Sequence, residues 1–374
     1  MKKLCIIIGL AVMLVLNQIV PKAANASEPY LESRAYAMVD ADIGQFLAGK
    51  NTQKPLPPAS TTKIMTAIIA LDYLKYDDWA DVSAKAAKTP PSAIGLRSGE
   101  RMRVRDLVTA ALMCSANDAC VVLAERVAGS EQLFAHLMNK KAAALGAIDT
   151  NFENSNGLPA KGHVSSCRDL VRFSICALQN DIFAQTVAKT EDHIQHPGYP
   201  KGLQISNTNR LLALYPGCQG IKTGTTDAAG KCLVGYAIRN NRKLITVVLN
   251  SPDRYYESKS LMNYGFNEFK KEKIVDASEA FKTLRTLNGI PAKMPIFPGR
   301  DVTILTPKEG LPRLEKKVVL EYCPPAPIKK GDKLGRLEVY YNGEFVETTE
   351  LIAGNDAKAE PRGVWRLFRL FYRE

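Results

Sequence analysis

Pro58-Ala59-Ser60-Thr61-Thr62-Lys63-Ile64-Met65-Thr66 is the segment on which the reading turns. It leaves a loop rich in proline (Pro55, Pro57, Pro58) and enters a helical pattern over residues 61–76. Ile64, Met65, Ile68, Ile69, Leu71 and Leu74 leave that helix little polar face, which predicts a buried helix. Ser60 and Lys63, at i and i+3, share one side of its start. A serine hydroxyl is a poor nucleophile until a base takes its proton. Lys63 serves as that base only when neutral, and burial on an apolar helix beside a second cation pushes it that way. The helix N-terminus favours negative charge developing at Ser60. Taken alone, Ser60 reads better as a helix N-cap, so the assignment needs partners elsewhere in the chain.

Two partners follow in order. Ser115-Ala116-Asn117 falls on a loop between helices predicted over 104–113 and 119–127. There Ser115 can relay a proton and Asn117 can hold a substrate amide. Lys222-Thr223-Gly224 falls on a strand predicted over 221–226, with Thr225 next. Lys222 is expected to stay charged and to attract a terminal carboxylate. Thr223 and Thr225 alternate with Lys222 and Gly224 along the strand. The missing side chain of Gly224 lets a peptide approach the strand edge closely, and an extended peptide can then bind by β-addition. Each motif is weak alone; their order, spacing and context together make coincidence improbable.

Other chemistries lack support. The chain has no G-x-S-x-G, no H-E-x-x-H and no C-x-x-C, so neither a metal site nor a cofactor is implied. Of four His, His193 and His196 read as a surface loop because Pro197 follows, and His163, near Gly157 and Gly162, reads as structural.

Outward from the motifs, strands are predicted over 34–39 and 45–48, and again over 221–226, 231–238 and 243–249. Helices lie between the early and late strands, which makes a mixed α/β domain over 27–275. After Asp276 the pattern changes to short strands, at 302–305, 317–322, 336–341 and 345–352, punctuated by Pro307, Pro312, Pro324, Pro325 and Pro327. Asn342-Gly343 is a strong hairpin signal. A small all-β domain over 276–354 follows, and 374 residues suit two domains.

Residues 1–26 read as a signal peptide: Lys2 and Lys3, an apolar run over 4–16, then Ala24-Asn25-Ala26. Export takes the chain away from nucleic acid. Its net charge of +12, reduced only by Lys2, Lys3 and Lys22, suits an anionic cell envelope. Of eight Cys, Cys5 leaves with the signal, and the odd remainder cannot pair completely within one chain. Most read as free thiols that act as small apolar residues. At the far end, residues 355–374 form a polar linker and an amphipathic helix. Arg362, Arg366, Arg369 and Arg373 make one stripe, and Trp365, Leu367, Phe368, Leu370 and Phe371 lie among the apolar remainder. That helix is too short to span a bilayer, which takes about 20 apolar residues, and suits the lipid interface.

The three motifs together match the pattern of class A β-lactamases and penicillin-binding proteins. The chain resembles the low-molecular-mass D-alanyl-D-alanine carboxypeptidases over most of its length. Residues 58–66 resemble that family's nucleophile segment, and Ser115-Ala116-Asn117-Asp118-Ala119 its second motif. Asn156-Gly157-Leu158-Pro159 with Gly162-His163 resembles its central loop, and Ile221-Lys222-Thr223-Gly224-Thr225-Thr226 its third motif. The resemblance implies a β-lactamase/transpeptidase-like fold of the α/β (α+β) kind with a C-terminal all-β stalk. It implies that Ser60 is acylated by a peptidoglycan stem peptide ending in D-Ala-D-Ala, with loss of D-alanine, and that β-lactam antibiotics acylate it as inhibitors. Lys63 would be the base, assisted by Ser115, Asn117 and Lys222, with Thr223, Gly224 and Thr225 along the substrate. The N–H groups of Ser60 and Thr225 would form the oxyanion hole. No cofactor is implied, and the tail would sit on the outer face of the cytoplasmic membrane. Two alternatives compete. Against a β-lactamase stand Ser-Ala-Asn in place of Ser-Asp-Asn and the lack of a clear Glu-x-x-Leu-Asn. Against a non-catalytic wall-binding scaffold stands the full set of polar groups.

Overall fold

The computed structural model describes residues 28–309, 314–320 and 323–360. The segments read as a signal peptide and as the Arg362 to Arg373 helix lie outside the described residues.

Five antiparallel strands make the central sheet: β1 (Ala35–Asp40), β2 (Phe46–Lys50), β3 (Cys218–Thr226), β4 (Gly230–Arg239) and β5 (Arg242–Ser251). Their order is β2-β1-β5-β4-β3, so β1 and β5 join the early and late parts of the domain. β4 and β5 are apolar at successive positions because both faces of the sheet are covered. Val234, Ile245 and Val247 join a large core formed with the helices that precede β3. Leu233, Leu244 and Val248 join a second core with Leu261 and Met262 of α6 (Arg254–Glu268).

The first core is organised around α1 (Lys63–Tyr73), which touches α2 (Val104–Leu112), α3 (Asn117–Ala128), α4 (Glu131–Ala144) and α5 (Cys167–Leu178). All residues from Lys63 to Ala70 are buried. Full burial of Ile64, Met65 and Ile69 is worth roughly 1.5–3 kcal/mol each. That offsets the desolvation of a lysine on the same helix, which costs several kcal/mol. The helix opens with a 3₁₀ turn, Ala59–Thr62, in which residues three apart eclipse one another. This tightens the Ser60–Lys63 relation that the helical spacing predicts.

One expectation about the surface is corrected. His193 and His196 lie on a strand, Glu191–His196, paired with Tyr199–Ser206, not on a surface loop. Pro197 and Gly198 supply the turn. Burial alternates along the strand, with Ile194 and His196 inward, so its period is two. His196 is buried against Tyr199, and its Nδ1 accepts the Gly198 N–H at 3.0 Å.

The second domain begins at once after α6. β6 (Phe269–Val275) pairs with β9 (Val302–Pro307), ahead of the boundary expected at Asp276. β7 (Lys282–Arg285), β8 (Lys293–Pro298), β10 (Leu314–Leu320), β11 (Lys333–Tyr341) and β12 (Glu344–Ala353) form a sheet in the order β7-β8-β12-β11-β10. Asn342 and Gly343 both have positive φ, as a tight hairpin between β11 and β12 requires. The domains are tied by the Gln45 side chain, which donates to Leu305 O at 2.7 Å and accepts from Leu305 N at 2.8 Å. Arg168 and Glu344 add an ion pair at 2.7 Å. The seven described cysteines are free thiols; Cys120, Cys167, Cys218 and Cys232 are buried, and Cys114, Cys176 and Cys323 half-buried.

Candidate active site

Ser60 stands half-buried on the 3₁₀ turn, directly after Ala59, whose φ is +48°. Ser115 has φ +64°. Left-handed backbone at non-glycine residues is strained and clusters at functional sites; here it brackets the site from two loops.

Lys63 is fully buried behind Ser60. Its Nζ lies 3.0 Å from Ser60 Oγ, 2.7 Å from Asn117 Oδ1 and 2.7 Å from Asn156 O. Three acceptors match the three protons of an ammonium. When the amine is neutral, one position becomes a lone pair that can take the Ser60 proton. Burial pushes Lys63 down to about 8, so a usable neutral fraction exists near physiological pH.

Lys222, on β3, is also fully buried, and its Nζ donates to Thr223 O at 3.2 Å. Burial first, and the charge of Lys63 second, push it down to about 7. The expectation of a permanently charged Lys222 is therefore corrected for the unliganded site. Desolvation without an anionic partner discharges it in part, and an incoming carboxylate would restore the charge. The second cation acts on Lys222; burial alone accounts for the lowering of Lys63.

Asn117 is the first residue of α3, two positions earlier than expected. Its amide is occupied at both ends: Oδ1 holds Lys63, and Nδ2 donates to Pro90 O at 2.9 Å. In the unliganded site it therefore positions Lys63, and the second Nδ2 proton is left to donate to the carbonyl of a substrate amide. Ser115 is nearly buried and lies between Cys114 and Asn117, both of which face the lysine pair.

Gly224 has a second reason besides the one expected. A Cβ there would come within 2.9 Å of Ser60 N and 3.0 Å of Pro58 O. The glycine lets β3 press against the nucleophile turn and keeps the Ser60 N–H clear. Thr223 Oγ1 hydrogen-bonds Thr208 Oγ1 at 2.7 Å, and Thr208 N donates to Met113 O at 3.0 Å, which ties β3 to the end of α2. Thr225 is exposed, and its Oγ1 accepts from Arg254 at 2.8 Å.

Several further residues hold these groups. Asp118 is buried, and its carboxylate accepts the N–H groups of Ile94, Gly95 and Leu96 at 3.0–3.2 Å and of Ala119 at 2.9 Å. It fixes the loop whose Pro90 and Ser92 carbonyls accept from Asn117. Glu131 accepts from Ser155 N and Oγ at 3.1 and 2.7 Å and pairs with Lys85 at 2.7 Å. Burial opposes its charge, but the Lys85 and Ser155 bonds prevail and hold it below the usual carboxylate range. Ser155 precedes Asn156, so Glu131 braces the carbonyl that holds Lys63. His163 has a structural place: Nδ1 accepts from Glu153 N at 3.0 Å and Nε2 meets Thr62 Oγ1 at 2.8 Å. Burial pushes it down to about 4, so it is neutral. Arg254 donates to Gly224 O and Thr225 Oγ1, both at 2.8 Å, and sets a cation beside β3. The "Asp118" position was legible as part of the second motif, whereas Arg254 and Glu131 carry no signal in local spacing.

Nearby thiols are not rival nucleophiles. Burial pushes Cys120 up to about 12 and raises Cys114 as well. Among the described residues, no group of three or more His, Cys, Asp and Glu is placed to hold a metal ion.

A serine with a buried amine at hydrogen-bond distance, a clear backbone N–H and a second cation beside an open strand define a serine hydrolase of the acyl-transfer class. The comparisons agree. The family described as D-alanyl-D-alanine carboxypeptidase matches residues 22–253, and the C-terminal domain of penicillin-binding protein 5 matches residues 269–359. The chain is 31% identical to the D-alanyl-D-alanine carboxypeptidase DacF of Bacillus subtilis, over 89% of this chain and 88% of that one. Penicillin-binding protein 5 from Haemophilus influenzae shares the fold with a TM-score of 0.73 at 26% identity, over 89% of this chain and 99% of that one. The ampicillin-bound penicillin-binding protein D2 of Listeria monocytogenes, at 31% identity and a TM-score of 0.57, covers 64% of this chain and is covered completely (100%). The chain belongs to the D-alanyl-D-alanine carboxypeptidase family of penicillin-binding serine peptidases.

Proposed function

We propose that this enzyme releases the terminal D-alanine from peptidoglycan stem peptides through an acyl-enzyme on Ser60. The observation that carries the reading is the 3.0 Å contact between Lys63 Nζ and Ser60 Oγ in a site where burial lowers the amine. Neutral Lys63 takes the hydroxyl proton as Oγ bonds to the carbonyl carbon of the penultimate D-alanine. The N–H groups of Ser60 and Thr225 hold the developing oxyanion. The C–N bond then breaks, and the leaving D-alanine amine takes up a proton through Lys63 and Ser115. Water, deprotonated by the same amine, hydrolyses the ester and frees Ser60. Lys222, recharged by the substrate's terminal carboxylate, and Arg254 beside Thr225 favour a free carboxylate at that end. A β-lactam enters as an acylating inhibitor by the same first step.

The test is digestion of purified cell walls. The wild type should release D-alanine, and Ser60→Ala should release none and take no fluorescent penicillin. A C-terminally amidated peptide should be a poor substrate. Rapid turnover of the penicillin label without D-alanine release would point to a β-lactamase, and no label at all to a scaffold.

The same reading places the enzyme outside the cytoplasm, exported by residues 1–26 and peripheral on the outer face of the cytoplasmic membrane. What supports the anchor is the arginine stripe from Arg362 to Arg373 with its large apolar remainder. Among the described residues, no helix is long and apolar enough to cross a membrane. Residues 355–360 are not the expected linker, since Ala357 is buried in the core of the second domain and Lys358–Ala359 pairs with Gly289–Ile290. A chain truncated after Glu360 should therefore lose affinity for anionic liposomes; equal binding by both forms would remove the anchor.

A further inference from the structure

Beside the nucleophile lies a pocket of about 250 Å³, bounded by Pro57 and Pro58, by the Leu158 to Lys161 loop, and by Thr226 and Ala228. Ala59 lines it too, so it opens within one residue of Ser60. Its volume falls below the roughly 300–1,000 Å³ of pockets that take a whole ligand. It is sized for one long side chain.

Its place along β3 says which part of the substrate reaches it. The placement rests on the carboxypeptidase activity proposed for the site. The terminal carboxylate belongs near Lys222 and Thr223, and the scissile carbonyl near Ser60 and Thr225. A peptide added to β3 in that sense runs antiparallel to it. The residues upstream of the scissile bond therefore continue past Thr225, toward Thr226 and Ala228. That is the end of the strand at which the pocket opens.

The walls are chemically selective. Proline and leucine faces suit a methylene chain. Of the ionisable lining residues, His163 is neutral and engaged by Glu153 and Thr62, which leaves Lys161 as the charge at the rim. Asp227, between Thr226 and Ala228, is exposed and lies outside the lining. An aliphatic slot with a cation at its rim accepts a chain that ends in a carboxylate and repels one that ends only in an ammonium.

We propose that this pocket receives the side chain of the stem peptide's third residue, and that Lys161 makes it select a diamino-dicarboxylic acid over lysine. The test compares two pentapeptides, identical except for those residues at the third position, on the same enzyme preparation. The readout is the ratio of kcat/KM values, which cancels differences in folded fraction. The wild type should prefer the dicarboxylic peptide. Lys161→Gln should narrow the ratio, and Lys161→Glu should move it about three- to ten-fold toward the lysine peptide, as expected for an exposed charge. A wild type that prefers the lysine peptide, or a ratio unmoved by Lys161→Glu, overturns the pocket assignment and leaves the carboxypeptidase reading intact. A wild type that releases D-alanine from neither peptide overturns both.

Discussion

Around α1 the first domain buries two lysines, Asp118, Glu131, and the amides of Asn117 and Asn156. The core of the second domain holds Val275, Met294, Ile296, Leu337, Val339 and Leu351. Among its described residues only Thr286, Thr306 and Thr349 are buried polar side chains. Its charges are paired at the surface instead, as in Lys333–Glu350 and Arg300–Glu347. Buried charge is a poor source of stability, because desolvation can exceed what pairing returns. The two regions therefore separate two tasks. The second is built for a stable apolar core. The first accepts a destabilising polar cluster because a lysine becomes a base only out of water, and the surrounding apolar helices offset the loss.

The strongest way to break this comparison is Lys63→Met, which keeps most of the side chain's length and removes the amine. Acylation by penicillin should fall by about 10³-fold or more, since general-base catalysis alone contributes roughly 10²–10⁴. Stability at neutral pH should change little: relief of the lysine's desolvation is set against about 1–3 kcal/mol for Asn117 Oδ1 and Asn156 O, which lose their donor. The pH dependence supplies the sign. Burial lowers Lys63 from 10.5 to about 8. Between those values the unfolded chain binds more protons than the folded one, so wild-type stability rises with pH across that window. The penalty is complete below pH 8 and gone above 10.5, an effect of roughly 3 kcal/mol. Urea melts of both proteins at pH 7 and pH 10 should therefore show the wild type gaining on the variant at high pH. At saturating penicillin, where the bound carboxylate keeps Lys222 charged, wild-type acylation should climb tenfold per pH unit up to about pH 8 and then level. A variant that loses more than about 2 kcal/mol at pH 7 would make Lys63 a structural residue.

How much of this was legible depended on distance along the chain. Ser60 and Lys63 are three residues apart at a helix start, and the three motifs sit on a predicted helix, loop and strand. Local periodicity therefore sufficed to find them. It also found β1 to β5 approximately, and the Asn342-Gly343 hairpin. It failed where the reason lies in tertiary contact. Glu131 acts on Lys63 through Ser155 and Asn156, from another helix. Arg254 reaches β3 from the start of α6. Gly224 makes room for the turn at Ser60, which no pattern on its own strand could reveal. The charge state expected of Lys222 missed its complete desolvation. His196 was misread because Pro197 follows it: the proline marks the turn of a hairpin, while the alternation of burial that marks the strand before it appears only once the fold is known.

A second test sharpens the comparison from the loop side. Asp118→Asn leaves one acceptor oxygen for four backbone N–H groups. Donors left unpaired in a buried place cost about 1–3 kcal/mol, and the 90–96 loop should loosen around Asn117. Acylation should fall about 10- to 100-fold, well short of the loss in Lys63→Met, because the base is still present. Stability should fall here, unlike at Lys63. Glu131→Gln should show a milder version, since Gln retains one acceptor for Ser155 but gives up the Lys85 ion pair. If Asp118→Asn acylates at the wild-type rate, the loop does not position the base.

The smallest effect belongs to the second domain. Lys333 Nζ lies 2.6 Å from Glu350 Oε1, a shorter contact than any made by Lys63, yet the two side chains are 61% and 57% exposed. Water screens the pair in both states, and holding two long side chains in one geometry costs entropy. Lys333→Ala should thus change stability by less than about 0.5 kcal/mol and leave acylation unchanged. Raising the salt concentration should alter wild type and variant alike. Lys63→Met and Lys333→Ala remove the same functional group from two environments, so their contrast isolates burial from hydrogen-bond length. Urea midpoints and penicillin acylation rates on both variants measure it. A loss above 1 kcal/mol at Lys333, or a tenfold loss of acylation, would mean that surface charge in the β domain is coupled to the first domain's site, and the division of tasks would fail.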